Sequence, residues 1–241
     1  MYDIHCHILP NVDDGSGSIN DSIEMAIIAA DSGIKGIVAT PHCNIPGICD
    51  NYWNPEFDEK ISILNQKLKK RSIPVKIYRG QEVFAHGDIL MHLKNGTLIT
   101  LNNSVYVLTE FDFRTSEHDV YPVLQRLVSE GYKPVVAHPE RYAFTYDNPD
   151  SINRMRQIGS FIQLNGDSIK GEFGRYPKRV SKFILENRLA DFVASDAHSQ
   201  YRRTPNLTSA HEMVCENYSF DYANLIFNEN PCKVINNKEI R

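Results

Sequence analysis

Residues 2–15 read YDIHCHILPNVDDG, and the short apolar run that ends in two histidines sets the fold and the chemistry together. Tyr2–His5 has the look of a compact buried strand. Side chains alternate along a strand, so His5 and His7 face the same way. Two neutral imidazoles on one face can chelate a divalent cation. Asp14 stands in the loop that follows. An H-x-H pair alone does not separate a metal site from two ordinary histidines.

The rest of the chain repeats the arrangement. Further strands are expected at Ile37–Thr40, Val75–Glu82, Val105–Glu110, Pro134–His138, Phe161–Asn165 and Asp191–Ser195. Helical patterns lie between them. Ser18-x-x-Asp21 resembles a capping box ahead of Ile23, Ala26, Ile27 and Ala30, with Gly33 as the stop. Pro55–Arg71 puts Phe57, Ile61, Leu64 and Leu68 on one face, and Val120–Glu130, Ile152–Ile158, Pro177–Asn187 and Thr208–Asn217 read similarly. Strands alternating with helices imply a parallel α/β barrel or a doubly wound sheet. The polar residues favour the barrel, where chemistry sits at the C-terminal strand ends. The second strand runs into His42, and the next three end in Glu82, Glu110 and His138. The sixth ends in Asn165, and the seventh leads to Asp196 and His198.

Asp196-x-His198 repeats the i, i+2 geometry among small neighbours, Ala194, Ser195 and Ala197. Any one of these carboxylates could be a salt-bridge partner or cap; their shared position at one end of the strands points to a site. The mixed imidazole and carboxylate donors favour Mn, Fe or Zn over Ca or Mg alone. His5, His7, Asp14, His42, Glu82, Glu110, His138, Asp196 and His198 exceed the needs of one ion, so two or three ions sharing a carboxylate fit better. Such a cluster suits in-line displacement at a phosphoester. Arg141 and Arg203 are the best-placed phosphate donors, since a planar guanidinium can hold phosphate oxygens in pairs.

A cysteinyl-phosphate route needs Arg six positions after Cys. Those positions hold Val12, Cys49, Pro55, Asp221 and Lys238, so that route is not expected. Cys6 and Cys43 read as small neighbours of ligands. His86, His92, His118 and His211 fall outside the strand-end pattern, and Tyr52 and Trp53 are either mouth-lining or packing residues. The 241 residues contain five irregularly spaced cysteines and no C-x-x-C, as in a reducing compartment. There is no signal-like start, membrane-length apolar run or basic stripe, so a cytoplasmic protein with no membrane insertion and no nucleic-acid partner is expected.

HCHILPNVDDG at residues 5–15 resembles the opening of bacterial metal-dependent protein-tyrosine phosphatases of the polymerase and histidinol phosphatase (PHP) superfamily, the type associated with capsular and extracellular polysaccharide synthesis. The resemblance continues through Ala39-Thr40-Pro41-His42, Gly80-Gln81-Glu82-Val83, Glu110-Phe111, Ala137-His138-Pro139-Glu140-Arg141-Tyr142 and Ala194-Ser195-Asp196-Ala197-His198. It implies a single-domain, distorted seven-stranded (β/α)7 barrel of PHP type with a trinuclear site, often manganese. One ion would take His5, His7, Glu82 and Asp196, a second Glu82, Glu110 and His138, and a third Asp14, His42 and His198. Arg141 and Arg203 would contact phosphate. The implied substrate is phosphotyrosine on a cognate bacterial tyrosine kinase. Asn11 and Cys43 depart from the family pattern at the mouth without removing a ligand. The rival readings are a small-molecule phosphatase such as histidinol-phosphatase, an amidohydrolase-type enzyme, and a non-catalytic docking module. The Asp-x-His late motif disfavours the second, and the full ligand set the third.

Overall fold

The structure is a computed structural model that describes residues 1–240. Among the described residues, nine strands run β1 (Tyr2–Cys6), β2 (Gly36–Ala39), β3 (His42–Cys43), β4 (Lys76–Arg79), β5 (Glu82–Phe84), β6 (Tyr106–Glu110), β7 (Lys133–Ala137), β8 (Phe161–Asn165) and β9 (Phe192–Ala194). They form two all-parallel sheets, β1-β2-β4 and β3-β5-β6-β7-β8-β9. The longer helices between them are Ile19–Asp31, Pro55–Lys70, Glu117–Ser129, Arg175–Glu186 and Thr208–Asn217, close to the expected spans. Shorter helices, such as Ile89–Asn95, Gly166–Lys170 and Asn230–Ile235, are too brief to show a periodicity in sequence.

The expected strand Val75–Glu82 is two strands, because the chain changes sheet at Gly80-Gln81. A Cβ on Gly80 would lie 2.5 Å from Val38 Cγ1, so only glycine fits this crossing. Gln81 then spends its amide on backbone, donating from Nε2 to Asn51 O at 2.8 Å and accepting from Ile99 N at 2.9 Å. The second expected strand, Ile37–Thr40, agrees with β2 to within a residue, and the break comes just after it. Pro41 carries no N–H for a ladder, and the chain resumes as β3, where His42 pairs with Glu82.

The two sheets meet at β1. Cys6 bridges Ala197, Asp196 N donates to His5 O at 2.8 Å, and His7 N donates to Ala197 O at 2.8 Å. Asp3 fixes this seam: fully buried, it accepts from the backbone N–H groups of His5 and Ser195 and from the Ser195 hydroxyl. Alternation sorts the core. Ile4, Val38, Leu108, Val135, Ala137, Phe192 and Ala194 pack together, closed by Val234 and Ile235. Their neighbours Ile37, Val136, Ile162 and Val193 face the helices, against Met25, Leu64, Leu124 and Ile184. Each of the Ile, Val and Leu side chains contributes about 1.5–3 kcal/mol on full burial. Among the described residues, no helix is long and apolar enough to cross a membrane.

Candidate metal centre

His5, His7, Asp14, His42, Glu82, Glu110, His138, Asp196 and His198 converge on one locus. His5 and His7 are fully buried, and their Nε2 atoms lie 3.2 Å apart. Each is held from behind. His5 Nδ1 is 2.9 Å from Gln163 Oε1, and His7 Nδ1 is 2.7 Å from Asp13 Oδ2. These partners place the proton on Nδ1 of the neutral ring and leave Nε2 as a donor atom facing inward, the usual support for a metal-ligating imidazole.

Glu82 lies at the middle, with Oε1 3.2 Å from His5 Nε2 and 3.0 Å from His138 Nε2. Its Oε2 is 3.3 Å from His7 Nε2 and 2.9 Å from His42 Nδ1. Glu110 is 3.4 Å from His42 Nδ1 and 3.6 Å from His138 Nε2. Asp14 is the outermost member, 68 % exposed, with Oδ1 3.4 Å from His198 Nε2 and 3.7 Å from His42 Nε2. Four overlapping groups have donor atoms within 4.8 Å of one another: His7, Asp14, His42 and His198; His5, His7 and Asp196; His5, Glu82 and His138; and His42, Glu82 and Glu110.

Asp196 divides its carboxylate. Oδ1 lies 3.4, 3.5 and 3.6 Å from His5, His7 and His198. Oδ2 accepts from Asn165 Nδ2 at 2.7 Å and Arg141 Nη1 at 3.1 Å, and pairs with Arg203. Gln163 Nε2 donates to Asn165 Oδ1 at 2.9 Å, so a side-chain relay joins His5 to Asp196. His138, Asp196 and Arg203 all adopt positive φ, 35°, 52° and 51°. Such backbone costs of order 1–3 kcal/mol per residue and clusters at functional sites.

The donor set fits divalent cations. His42 Nδ1, Glu82 Oε2, His138 Nδ1 and His198 Nε2 are buried without a hydrogen-bond partner. Buried polar atoms in folded proteins are nearly always satisfied. Here His42 Nδ1, Glu82 Oε2 and His198 Nε2 belong to the converging groups, whereas His138 turns its Nε2, not Nδ1, toward Glu82 and Glu110. Charge tells the same story. Burial pushes the Glu82 carboxyl up, but the His5 and His42 imidazoles outweigh it and hold it well below the ordinary carboxylate value. Burial likewise opposes ionisation of Asp196, and His5, His7 and Arg203 overcome it. Desolvation lowers His42, yet Glu82 and Glu110 drive it up to about 10. Burial and the nearby His7 hold His198 below its usual value. The carboxylates thus demand positive charge, which a cation supplies in place of imidazole protons.

The chain matches the family model described as "Capsular polysaccharide synthesis, CpsB/CapC" over residues 1–236. It belongs to the CpsB/CapC family. It is 40% identical to tyrosine-protein phosphatase YwqE of Bacillus subtilis over 199 residues, 83% of this chain and 78% of the relative. Identity to tyrosine-protein phosphatase CpsB of Streptococcus agalactiae is 31% over 246 residues, covering both chains fully. A crystal structure from work on YwqE of Bacillus subtilis and CpsB of Streptococcus pneumoniae, described as metal-dependent tyrosine phosphatases, superposes with a TM-score of 0.93 at 36% identity, covering 100% of this chain and 96% of that one. Histidinol phosphate phosphatase of Lactococcus lactis shares the fold at 13% identity and a TM-score of 0.59, covering 94% of each chain.

Within this CpsB/CapC member, several contributors were not singled out from sequence. Asp13 takes His7 Nδ1, His42 N at 2.9 Å and Gly15 N at 3.0 Å. Its only local signal was the Asp13-Asp14 doublet before Gly15. Gln163 and Asp3 gave no signal, and Asn165 was visible only as a strand end. Tyr52 and Trp53 do not face the centre: Tyr52 stacks on His92, and Trp53 packs on Phe57 and under Arg79. Cys6 and Cys43 are buried outside the four donor groups, and burial pushes both thiols well up.

Proposed function

We propose that this CpsB/CapC family member is a metal-dependent protein-tyrosine phosphatase acting in the cytoplasm on the phosphotyrosines of a cognate bacterial tyrosine kinase in polysaccharide synthesis. The observation that carries the reading is the convergence of nine imidazole and carboxylate side chains beside two arginines. The names of the relatives and their shared full-length fold support the substrate class. We read the two sheets as one interrupted seven-stranded barrel forming a single domain, with β2 continuing into β3 and β4 into β5 around the breaks at Pro41 and Gly80.

His5, His7, Glu82 and Asp196 would hold one ion, Glu82, Glu110 and His138 a second, and Asp14, His42 and His198 a third, with Mn2+ preferred and Fe or Zn as alternatives. When bound, such ions supply Lewis acidity that neutralises phosphate charge and makes water nucleophilic near neutral pH. Arg141 and Arg203 exchange part of their hold on Asp196 Oδ2 for the phosphate oxygens and fix the ester for in-line displacement. Asn165 stays on Asp196 and keeps its carboxylate oriented. Asp13 and Gln163 keep the His7 and His5 rings turned inward. Phenolate is a fair leaving group, so the site needs no strong general acid. An open cleft of about 610 Å3, lined by Val12, Asp14, His42, Ile45, Ile48 and Asn51, adjoins the centre and leaves room for a polypeptide.

The test is turnover of a phosphotyrosine peptide against histidinol phosphate by metal-loaded protein, with His5→Ala, Asp196→Ala and His198→Ala beside it. The proposal expects peptide turnover that each substitution abolishes. Preference for histidinol phosphate would contradict the substrate class.

A further inference from the structure

Arg141 sits in a short 3-10 turn, Pro139–Arg141, directly after His138. Its long side chain has Asp196 as its one ion-pair partner among the described residues, through Nη1 alone. Something else must hold a side chain that carries about 2 kcal/mol of rotamer entropy when free. Two phenylalanines from distant loops do so. The guanidinium lies 4.5 Å from the Phe113 ring centroid and 4.6 Å from that of Phe173. Phe113 follows β6 and Phe173 precedes the helix Arg175–Glu186. Phe173 also lies 5.8 Å from the Arg203 guanidinium. Phe113 is 39% exposed; its ring also lies 5.7 Å from that of His138 and 6.2 Å from that of Tyr142, so its outer side meets Arg141 and its inner side the wall of the centre.

Stacking occupies the faces of a guanidinium and leaves its edge N–H groups free in the plane. Those edges are what a phosphate oxygen accepts from. We propose that Phe113 and Phe173 are positioning residues that clamp Arg141, and that Phe173 ties Arg141 to Arg203 so that the two guanidiniums present one preformed phosphate fork. The inference rests on the phosphatase reading above and adds to it the determinant of phosphate affinity. Each ring acts on the fork through an arginine, and Phe173, whose ring meets no histidine of the centre among the described residues, is the cleaner of the two. The clamp therefore governs KM and the affinity for inorganic phosphate more than it governs metal content.

The experiment uses metal-loaded protein and two readouts, steady-state hydrolysis of a phosphotyrosine peptide and calorimetric titration with inorganic phosphate. Phe173→Leu keeps an apolar side chain and removes the π face, while Phe173→Tyr keeps the face. The clamp predicts that Phe173→Leu raises KM and weakens phosphate binding about two- to thirtyfold, with kcat changed less. Phe173→Tyr should stay near wild type, and Phe173→Leu should cost less in an Arg141→Ala background than in wild type, the remainder being its contact with Arg203. Equal effects of Leu and Tyr, or full additivity with Arg141→Ala, overturn the proposal. Should Phe173→Leu fold poorly, Phe113→Leu repeats the test with bound metal measured beside it, because that ring also lies 5.7 Å from the His138 ring; a lower affinity for phosphate at an unchanged metal content supports the clamp, and an unchanged affinity overturns it. If wild type binds phosphate but does not cleave the phosphotyrosine peptide, the substrate reading fails and the calorimetry still judges the clamp.

Discussion

Asp13→Asn is a one-atom change that separates support of the centre from ligation. Asp13 is 2.7 Å from His7 Nδ1 and accepts His42 N–H at 2.9 Å on Oδ2 and Gly15 N–H at 3.0 Å on Oδ1. The Asp13 carboxyl is nearly buried, and although burial opposes its ionisation, His7 and the two backbone N–H groups hold it below the usual carboxylate range. An asparagine cannot satisfy all three donors. If its oxygen faces His7 and His42, its amide group faces the Gly15 N–H; if turned over, it confronts the other two. The bond lost is to a charged acceptor, worth about 1.5–3 kcal/mol, or roughly ten- to a hundredfold at 1.4 kcal/mol per decade. That loss falls on the orientation of the His7 ring, and second-layer substitutions at metal sites weaken binding by about 10- to 100-fold. Calorimetric titration of chelator-treated Asp13→Asn with Mn2+ should show this drop, and saturating metal should restore most of the turnover. Wild-type affinity in the variant would refute the orienting role, and so would permanent inactivity at saturating metal with a normal fold.

Gly15→Ala places a Cβ 2.2 Å from His7 O and 2.5 Å from His7 Cβ, so it should cost about 1–3 kcal/mol in chemical denaturation and weaken metal binding, since the backbone must move at a ligand. Arg141→Ala should retain the metal complement by elemental analysis yet lower kcat/KM about 100-fold or more, as loss of a phosphate donor does. Burial pushes Asp191 up to about 6 against the pull of Arg156 and the Ile162 N–H. Its folded value lies above its unfolded one, so the native state binds the extra proton between about pH 4 and 6 and this residue's contribution falls as pH rises through that window. The stability of wild type relative to Asp191→Asn should therefore decline from pH 4 to pH 7, by at most about 3 kcal/mol, the Arg156 pair being already part of the folded value.

The convergence of these side chains was legible because most of them lie at or just after the end of an apolar run, while Asp14 lies in the loop after β1. His5 and His7 follow the alternation of β1 and its extension, whereas Asp196 and His198 lie beyond the end of β9 and meet through the left-handed turn at Asp196, φ 52°, so strand alternation alone does not account for that pair. The break at Gly80-Gln81 was not legible, since the reason for it is Val38, a neighbour from another strand. β3 is two residues long and is defined only by its pairing with β5. The supports were hidden for a related reason: Gln163 meets His5 across 158 positions of chain, and Phe173 meets Arg141 from a separate loop. Arg203 was read as a phosphate donor, but its tie to Asp196 Oδ2 depends on a positive-φ turn that no local motif announces.

The most direct test of the centre is a titration of Mn2+ into chelator-stripped protein, with bound metal per chain and phosphotyrosine-peptide turnover measured on the same samples. The convergence of His5, His7, Asp14, His42, Glu82, Glu110, His138, Asp196 and His198 predicts no turnover in the stripped protein. Activity should then rise with occupancy and saturate only after more than one ion is bound. Full turnover without metal, or saturation at a single ion, would contradict it.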